Sequence, residues 1–392
     1  MSNYNCLECG NVVDDISKNC GNCGENPNIV KIANQNYFAI GAVTAHLEKN
    51  QTKRFDYSMG TQWDLKTPVA GEFITRIEKK FRRKNKFHNF LSKDALPTSI
   101  PTLLSKFINE KTKFIDLCKV IMEKFKLNSN GEELVGSLVG GSLVFVYYKS
   151  MDDGDLGKLL IVMVDKRSAF DFENITLTPK RLNPVNTDDL RQAAMFDLTL
   201  FDQCYPDDES HSYVDFIQGK SKSDFFKDSL GCTKNVDNKR SISELFTAIE
   251  SFVSNNALGR ATRENADALV REFLDSKARD KNDKSVSIDD IQNIIDKCLP
   301  KDSMHRATFK DYVNVNDFKI DAQFEPTIFS AKSALTINLA DEDKNFEIKI
   351  LRGAIGDAKS NKPVILGNKN EIIVRLSPEE FEKIKRYANE ED

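Results

Sequence analysis

Long apolar runs, histidines and net charge are all scarce in this 392-residue chain, and each scarcity excludes something. The longest apolar stretch, Leu134–Tyr148, is interrupted by Gly136, Gly140 and Gly141. It falls short of the roughly 20 residues a membrane helix needs, so no contact with a membrane is expected. The N-terminus has no basic stretch leading into an apolar one, so no secretory signal is expected and the compartment is read as the reducing cytoplasm. Lysine and arginine total 56 against 60 acidic residues, a net charge of -4, so there is no overall basic field and any nucleic-acid contact must come from a local patch. The four histidines, His46, His88, His211 and His305, are far apart in sequence, and there is no Ser/His/Asp elbow, H-E-x-x-H or dinucleotide-binding glycine fingerprint.

What is present belongs to a soluble globular chain long enough for two or three domains and a substantial core. The strongest chemical signal is Cys6, Cys9, Cys20 and Cys23, spaced C-x2-C-x10-C-x2-C with Gly10 and Gly24 directly after the two pairs. Two such knuckles place four thiolates tetrahedrally around one ion, and a reducing compartment disfavours disulfides, so a structural zinc is expected. With all four positions filled by cysteine, no site is open for a catalytic water. The loop between the pairs carries Asp14 and Asp15 against one Lys18, which suits contact with another protein better than contact with DNA. Cys118, Cys204, Cys232 and Cys298 are scattered singly and read as buried or neutral thiols.

Along the chain, Tyr37–His46 reads as a strand. Thr67–Phe87 reads as a helix with Val69, Phe73, Ile77 and Phe81 on one face. Its opposite face gathers Arg76, Lys79, Arg82, Arg83 and Lys86, the best candidate phosphate contact in the sequence. Thr102–Leu127 reads as one long amphipathic helix whose apolar stripe, Leu103 to Phe125, is core or subunit interface. Leu138–Lys149 and Leu156–Asp165, joined through Met151–Asp155, predict a central antiparallel hairpin. Ile175–Thr178, Met195–Phe201 and Tyr213–Ile217 are predicted to complete the sheet. Gly219-Lys220-Ser221 then precedes a helix with Phe225, Phe226 and Leu230 inside and Gly231 as its stop. A strand feeding such a run could cradle phosphate. A P-loop, however, needs a second glycine where Val214 stands, so the run reads first as a helix cap with solvated lysines. Lys220 and Lys222 are kept as a second DNA contact.

Ser241 and Glu244 predict a capping box opening a helical block of mixed charge. From Leu335 strands return, and Ser377-Pro378-Glu379-Glu380 predicts the cap of a last helix. The fold class is therefore α+β: a mostly antiparallel sheet flanked by helices, a helical block, a small C-terminal α+β module and an N-terminal zinc knuckle module. The expected domains are 1–28, 29–232, 233–320 and 321–392.

Asn183-Pro184, the strand ending in Asp197-Leu198-Thr199, and the run Gly219, Lys220, Asp224, Phe225, Phe226, Asp228, Leu230, Gly231 resemble the NdpA (YejK) family of bacterial nucleoid-associated proteins. The resemblance runs from about Asn36 to the segment at Leu335 and beyond, without the cysteine module. It implies a cytoplasmic protein of the nucleoid that meets double-stranded DNA, and it brings no catalytic motif. Self-association as a homodimer is expected from the apolar stripes of the long helices. The competing readings are a nuclease or nuclease partner, possible in phage defence, hinted at by Asp341, Asp343, Glu347 and Lys349, and a scaffold that meets DNA only through partners.

The cysteine spacing makes a direct prediction. Elemental analysis of protein purified without chelators should find one zinc per chain, and Cys6→Ser with Cys9→Ser should abolish it while the remainder stays folded, because such a site supplies roughly 10 to 16 kcal/mol to its own small module. Protein with no zinc contradicts this.

Overall fold

Val, Leu, Ile, Phe and Tyr crowd Gly141–Ser150 and Lys158–Val164 without polar alternation. Strands of that kind need cover on both faces. They have it: Leu143 to Val146 and Leu159 to Val162 are fully buried. The computed structural model describes the short strands 4–5, 12–13 and 30–31 and residues 37–388, except 132–139, 153, 165–169, 173–175, 182–189, 210, 219–224, 234–235, 328–335, 341–345, 358 and 368–370. The four N-terminal cysteines, Lys220 and Lys222 lie outside the described residues.

Eight strands form the main sheet: β1 (Val30–Lys31), β2 (Tyr37–Lys49), β3 (Phe55–Met59), β4 (Phe87–Asn89), β5 (Gly141–Ser150), β6 (Lys158–Val164), β7 (Leu190–Asp197) and β8 (Val214–Ile217). Their order is β1-β2-β5-β6-β7-β8-β4, with β3 also on β2, and the ladders are antiparallel. Because successive side chains alternate between faces, β5 sends Val144 and Val146 to one side and Leu143 and Phe145 to the other. The first face is covered by α1 (Pro68–Arg83) through Ala70, Phe73, Ile74, Ile77 and Phe81. The second is covered by α2 (Ile100–Ile108), α3 (Phe114–Ser129), α4 (Leu198–Cys204) and α5 (Phe225–Ser229). The apolar stripe from Leu103 to Phe125 is thus core of this chain: Leu103, Leu104, Cys118, Ile121, Met122 and Phe125 are all buried within it.

Three local expectations are corrected. The long helix is two, because the chain turns after Ile108 with Glu110 in the left-handed region at φ 58°. Lys111 N–H bonds the Lys106 carbonyl at 2.8 Å and Glu110 N–H that of Phe107 at 3.0 Å, the paired bonds of a Schellman stop. The strand expected to run to Phe201 ends at Asp197, whose carboxylate accepts the Leu200 N–H at 3.0 Å and caps α4. Thr199 then donates to Asp155 at 3.0 Å and accepts from Leu156 N–H at 2.9 Å, fastening that turn to the β5–β6 connection. Thr176–Thr178 is not a sheet strand; Leu177 has φ 51°, and the segment leads into a separate two-stranded ladder of Phe170–Phe172 with Pro179–Arg181. Gly231, by contrast, has φ 64° and ends α5 as expected.

The chain divides into two compact units, residues 1–237 with 311–322 and residues 238–310 with 323–392. The second contains α6 (Asn238–Asn255), α7 (Arg260–Arg279), α8 (Ile288–Cys298), the start of α9 (Phe309–Val315), and α10 (Pro378–Ala388). Its helical core gathers Leu245, Phe246, Ile249, Phe252, Val270, Leu274, Ile291, Ile295 and Phe309, all buried. α6 begins at Asn238, so Ser241 is a buried interior residue and not the expected cap. A capping box does open α8, between Ser287 and Asp290. Toward the C-terminus β9 (Thr336–Ala340) pairs with β10 (Glu347–Leu351), and β11 (Ile355–Gly356), β12 (Val364–Leu366) and β13 (Ile372–Val374) form a small sheet. Ser377 and Glu380 cap α10 reciprocally, as predicted.

Among the described residues no helix is long and apolar enough to cross a membrane. Cys118, Cys204 and Cys232 are buried, and burial raises their thiol pKa, that of Cys232 to about 12.

The Phe225-Phe226 pair is a core element: Phe226 is fully buried, with ring centroids 5.1 Å from Phe125 and 5.9 Å from Phe216. Phe226→Ala should lower stability by about 3 to 5 kcal/mol in urea unfolding followed on the first unit. A change under about 1 kcal/mol would place that ring outside the core.

Candidate functional site

Helix α1 starts with Pro68 at its first position and buries Ala70, Phe73, Ile74, Ile77 and Phe81 against the sheet. That fixes where its cations point. Arg76, Lys79 and Arg83 follow i, i+3, i+7 spacing, so they share the outer face, and all three are exposed. Lys84, where the helix ends, is exposed with them. Arg76 also meets Glu72 at 2.7 Å, a surface pair of small energetic weight.

The other two members of the predicted basic face turn inward. Arg82 lies one turn after Glu78, with Nε 3.5 Å from Oε1 and a side chain only 12% exposed. Lys86 is 3% exposed; its ammonium donates to the carbonyls of Arg82 at 3.0 Å and Lys84 at 3.2 Å. It therefore satisfies carbonyls left open at the end of α1, where the helix dipole favours a cation. Burial lowers the Lys86 pKa, against opposing pulls from Asp215, Asp317 and Glu78. Glu78 is 3% exposed and its Oε2 has no hydrogen-bond partner among the described residues. Burial pushes its pKa up to about 7 despite the nearby Arg82 and Lys86.

Beyond α1 lies a cluster that sequence reading missed. His88 on β4 and Asp215 on β8 stand directly opposite in the ladder, with His88 Nδ1 2.6 Å from Asp215 Oδ1. Lys319 donates to both Asp215 oxygens, at 3.3 and 3.2 Å, and to Asp317 at 3.0 Å. The outer edge of β4 is closed by the same segment: His88 N–H bonds the Asp321 carboxylate at 2.7 Å and Ala322 N–H bonds the Lys86 carbonyl at 2.7 Å. Burial alone would raise the Asp215 pKa, but Lys319, His88 and Lys86 outweigh it and hold this carboxyl well below the ordinary range. Lys319 is correspondingly raised, burial opposing and Asp215 and Asp317 prevailing. The sequence offered one clue, a lone carboxylate inside the apolar strand Tyr213–Ile217, but its lysine partner is 104 residues away.

Of the other candidates, Glu347 and Lys349 sit on β10, both largely exposed and paired with each other at 3.0 Å, while Asp341 and Asp343 lie outside the described residues. The second unit has a cleft of about 450 Å³ in which Arg263 pairs with Glu250 at 3.1 Å and Arg260 with Glu264 at 2.9 Å. Its charges are thus largely balanced within the cleft. Among the described residues no group of three or more His, Cys, Asp or Glu is placed to hold a metal.

Comparison with known proteins bears on most of the chain. A family model described as nucleoid-associated protein YejK matches residues 47–375, leaving the four-cysteine segment outside the match. A nucleoid-associated protein of Shewanella pealeana is 25% identical over 205 residues, covering 50% of this chain and 57% of its own length. One from Shewanella oneidensis is 26% identical over 188 residues, covering 47% and 51%. The chain spans about half the length of the curated relatives it matches.

The Glu78 carboxyl makes stability depend on pH in a defined direction. The folded chain keeps its proton up to about pH 7, whereas the unfolded chain releases it near the ordinary value of 4.5. Between those values the folded state binds more protons, so stability contributed at low pH is lost as pH rises, by roughly 3 kcal/mol in all. Urea unfolding of the first unit at about pH 5 and about pH 8 should show this loss, and Glu78→Gln should remove most of it. An identical pH dependence in parent and variant would assign the proton to another group.

Proposed function

We propose that this chain, which belongs to the YejK family of nucleoid-associated proteins, acts in the cytoplasm on the bacterial nucleoid, binding double-stranded DNA with little sequence preference and doing so as a homodimer. The observation that carries the reading is the family match, which extends over both compact units. The exposed row Arg76, Lys79 and Arg83, extended by Lys84, supports it independently. These are cations without an accompanying asparagine or glutamine array, a chemistry suited to phosphates and not to base edges. Lys220 and Lys222 are kept as the second contact. A homodimer doubles a weak phosphate contact, which matters for a chain whose net charge is -4. The four cysteines hold one structural zinc in a module that contacts another protein.

Because Arg82 and Lys86 are engaged inside, the DNA surface is tested on the outward row alone. Anisotropy of a labelled duplex, titrated at two salt concentrations with and without magnesium, should show salt-dependent binding by the parent and weaker binding by Arg76→Ala/Lys79→Ala/Arg83→Ala on any sequence. Each phosphate contact contributes about 0.9 to the log-log salt slope, so losing three should flatten it by roughly 2.7. An unchanged slope in the folded variant moves the DNA surface elsewhere, and a parent that binds no DNA overturns the reading.

A further inference from the structure

The C-terminal end of the second unit carries secondary structure that its own chain does not bury. From Glu371 to Tyr387 each residue is exposed, across β13, its connection and most of α10. Ile372, Ile373 and Val374 are 40%, 51% and 41% exposed, so this edge strand presents apolar side chains on both of its faces. On α10, Phe381, Ile384 and Tyr387 recur every third residue along one flank, at 57%, 57% and 76% exposure. A helix of 11 residues is marginal by itself in water, and helices in proteins are held mainly by packing an apolar face. An edge strand with open backbone groups is likewise a surface for pairing.

We propose that β13 and α10 form the self-association surface, and that its occupant is β13 and α10 of a second copy of this chain related by a two-fold axis. The proposal rests on the homodimer reading above and assigns it a location. Two features select a second copy. Seven large apolar side chains between Ile372 and Tyr387 each remain 38% to 76% exposed, a concentration that a protein partner covers and a small ligand does not. The charges on α10 are also self-complementary: Glu379, Glu380 and Glu382 occupy its first half, Lys383, Lys385 and Arg386 its second. Two copies crossing antiparallel put the acids of each against the bases of the other and oppose their helix dipoles, as an isologous interface requires.

Sedimentation velocity of the full chain at micromolar concentration tests this. The parent should be a dimer, and Phe381→Glu/Ile384→Glu should dissociate it at least about 100-fold more readily, since burying unpaired carboxylates is costly. Circular dichroism and urea unfolding report whether the remainder of each variant is folded. A second pair does not rely on the apolar residues. Glu379→Lys/Glu382→Lys makes α10 predominantly basic and Lys383→Glu/Lys385→Glu makes it predominantly acidic, while Ser377 and Glu380 keep their cap. Each alone should associate about tenfold more weakly than the parent, and an equal mixture should restore dimers. A parent that sediments as a monomer overturns this surface and the homodimer reading together. A dimer that survives both the apolar and the charge substitutions overturns this surface alone.

Discussion

Asp215 is the group on which the first unit depends. It is a carboxylate within an apolar strand, its side chain only 16% exposed, and a charge so largely removed from water persists only with partners. Those partners, His88 and Lys319, come from positions 127 residues before it and 104 residues after it. The ion cluster therefore joins three distant parts of one chain, and the backbone bonds from Asp321 and Ala322 to β4 close a sheet edge that would otherwise be open. A non-local arrangement of this kind is costly to reach, because long loops must close before any of its contacts form. During synthesis the first unit is incomplete until residue 322 has been made, after the whole of residues 238–310.

The same dependence explains the division of the basic helix. Five cations on one side of a sequence look equivalent, yet the sheet decides which of them meets water. Once Phe73, Ile77 and Phe81 are packed, Arg76, Lys79 and Arg83 have no route inward, whereas Arg82 follows the flank occupied by Glu78 and Lys86 falls past the last turn, where carbonyls are open. The outward residues suit a phosphate lattice; the inward ones finish the helix.

Much of the architecture was legible in the sequence where a local rule and the tertiary contacts agree. The unbroken apolar character of β5 and β6 announced a sheet covered on both faces, Gly231 announced the end of α5, and Ser377 with Glu380 announced the start of α10. Legibility failed where tertiary context used an atypical residue for a familiar geometry. Glu110 takes the left-handed position that glycine usually marks, so α2 and α3 read as one helix. Asp197 looks like one more alternating strand residue until its carboxylate is seen capping α4. The Asp215 cluster was out of reach for a different reason: nothing in spacing or periodicity relates positions 88, 215 and 319. On the candidate DNA surface, the helix and its apolar face were readable, but the inward turn of Arg82 and Lys86 depends on Glu78 and on the exact end of the helix.

The deep placement of Cys118, Cys204 and Cys232 separates this chain into two chemical territories. Thiolate, not thiol, is the form that reacts with oxidants, electrophiles and metals. Burial raises the pKa of these three thiols and of Cys298, so all four are poor redox reactants at neutral pH. Under the zinc site proposed above, oxidative stress would be felt first through Cys6, Cys9, Cys20 and Cys23, where loss of a ligand would release the metal while the sheet and helices keep their packing.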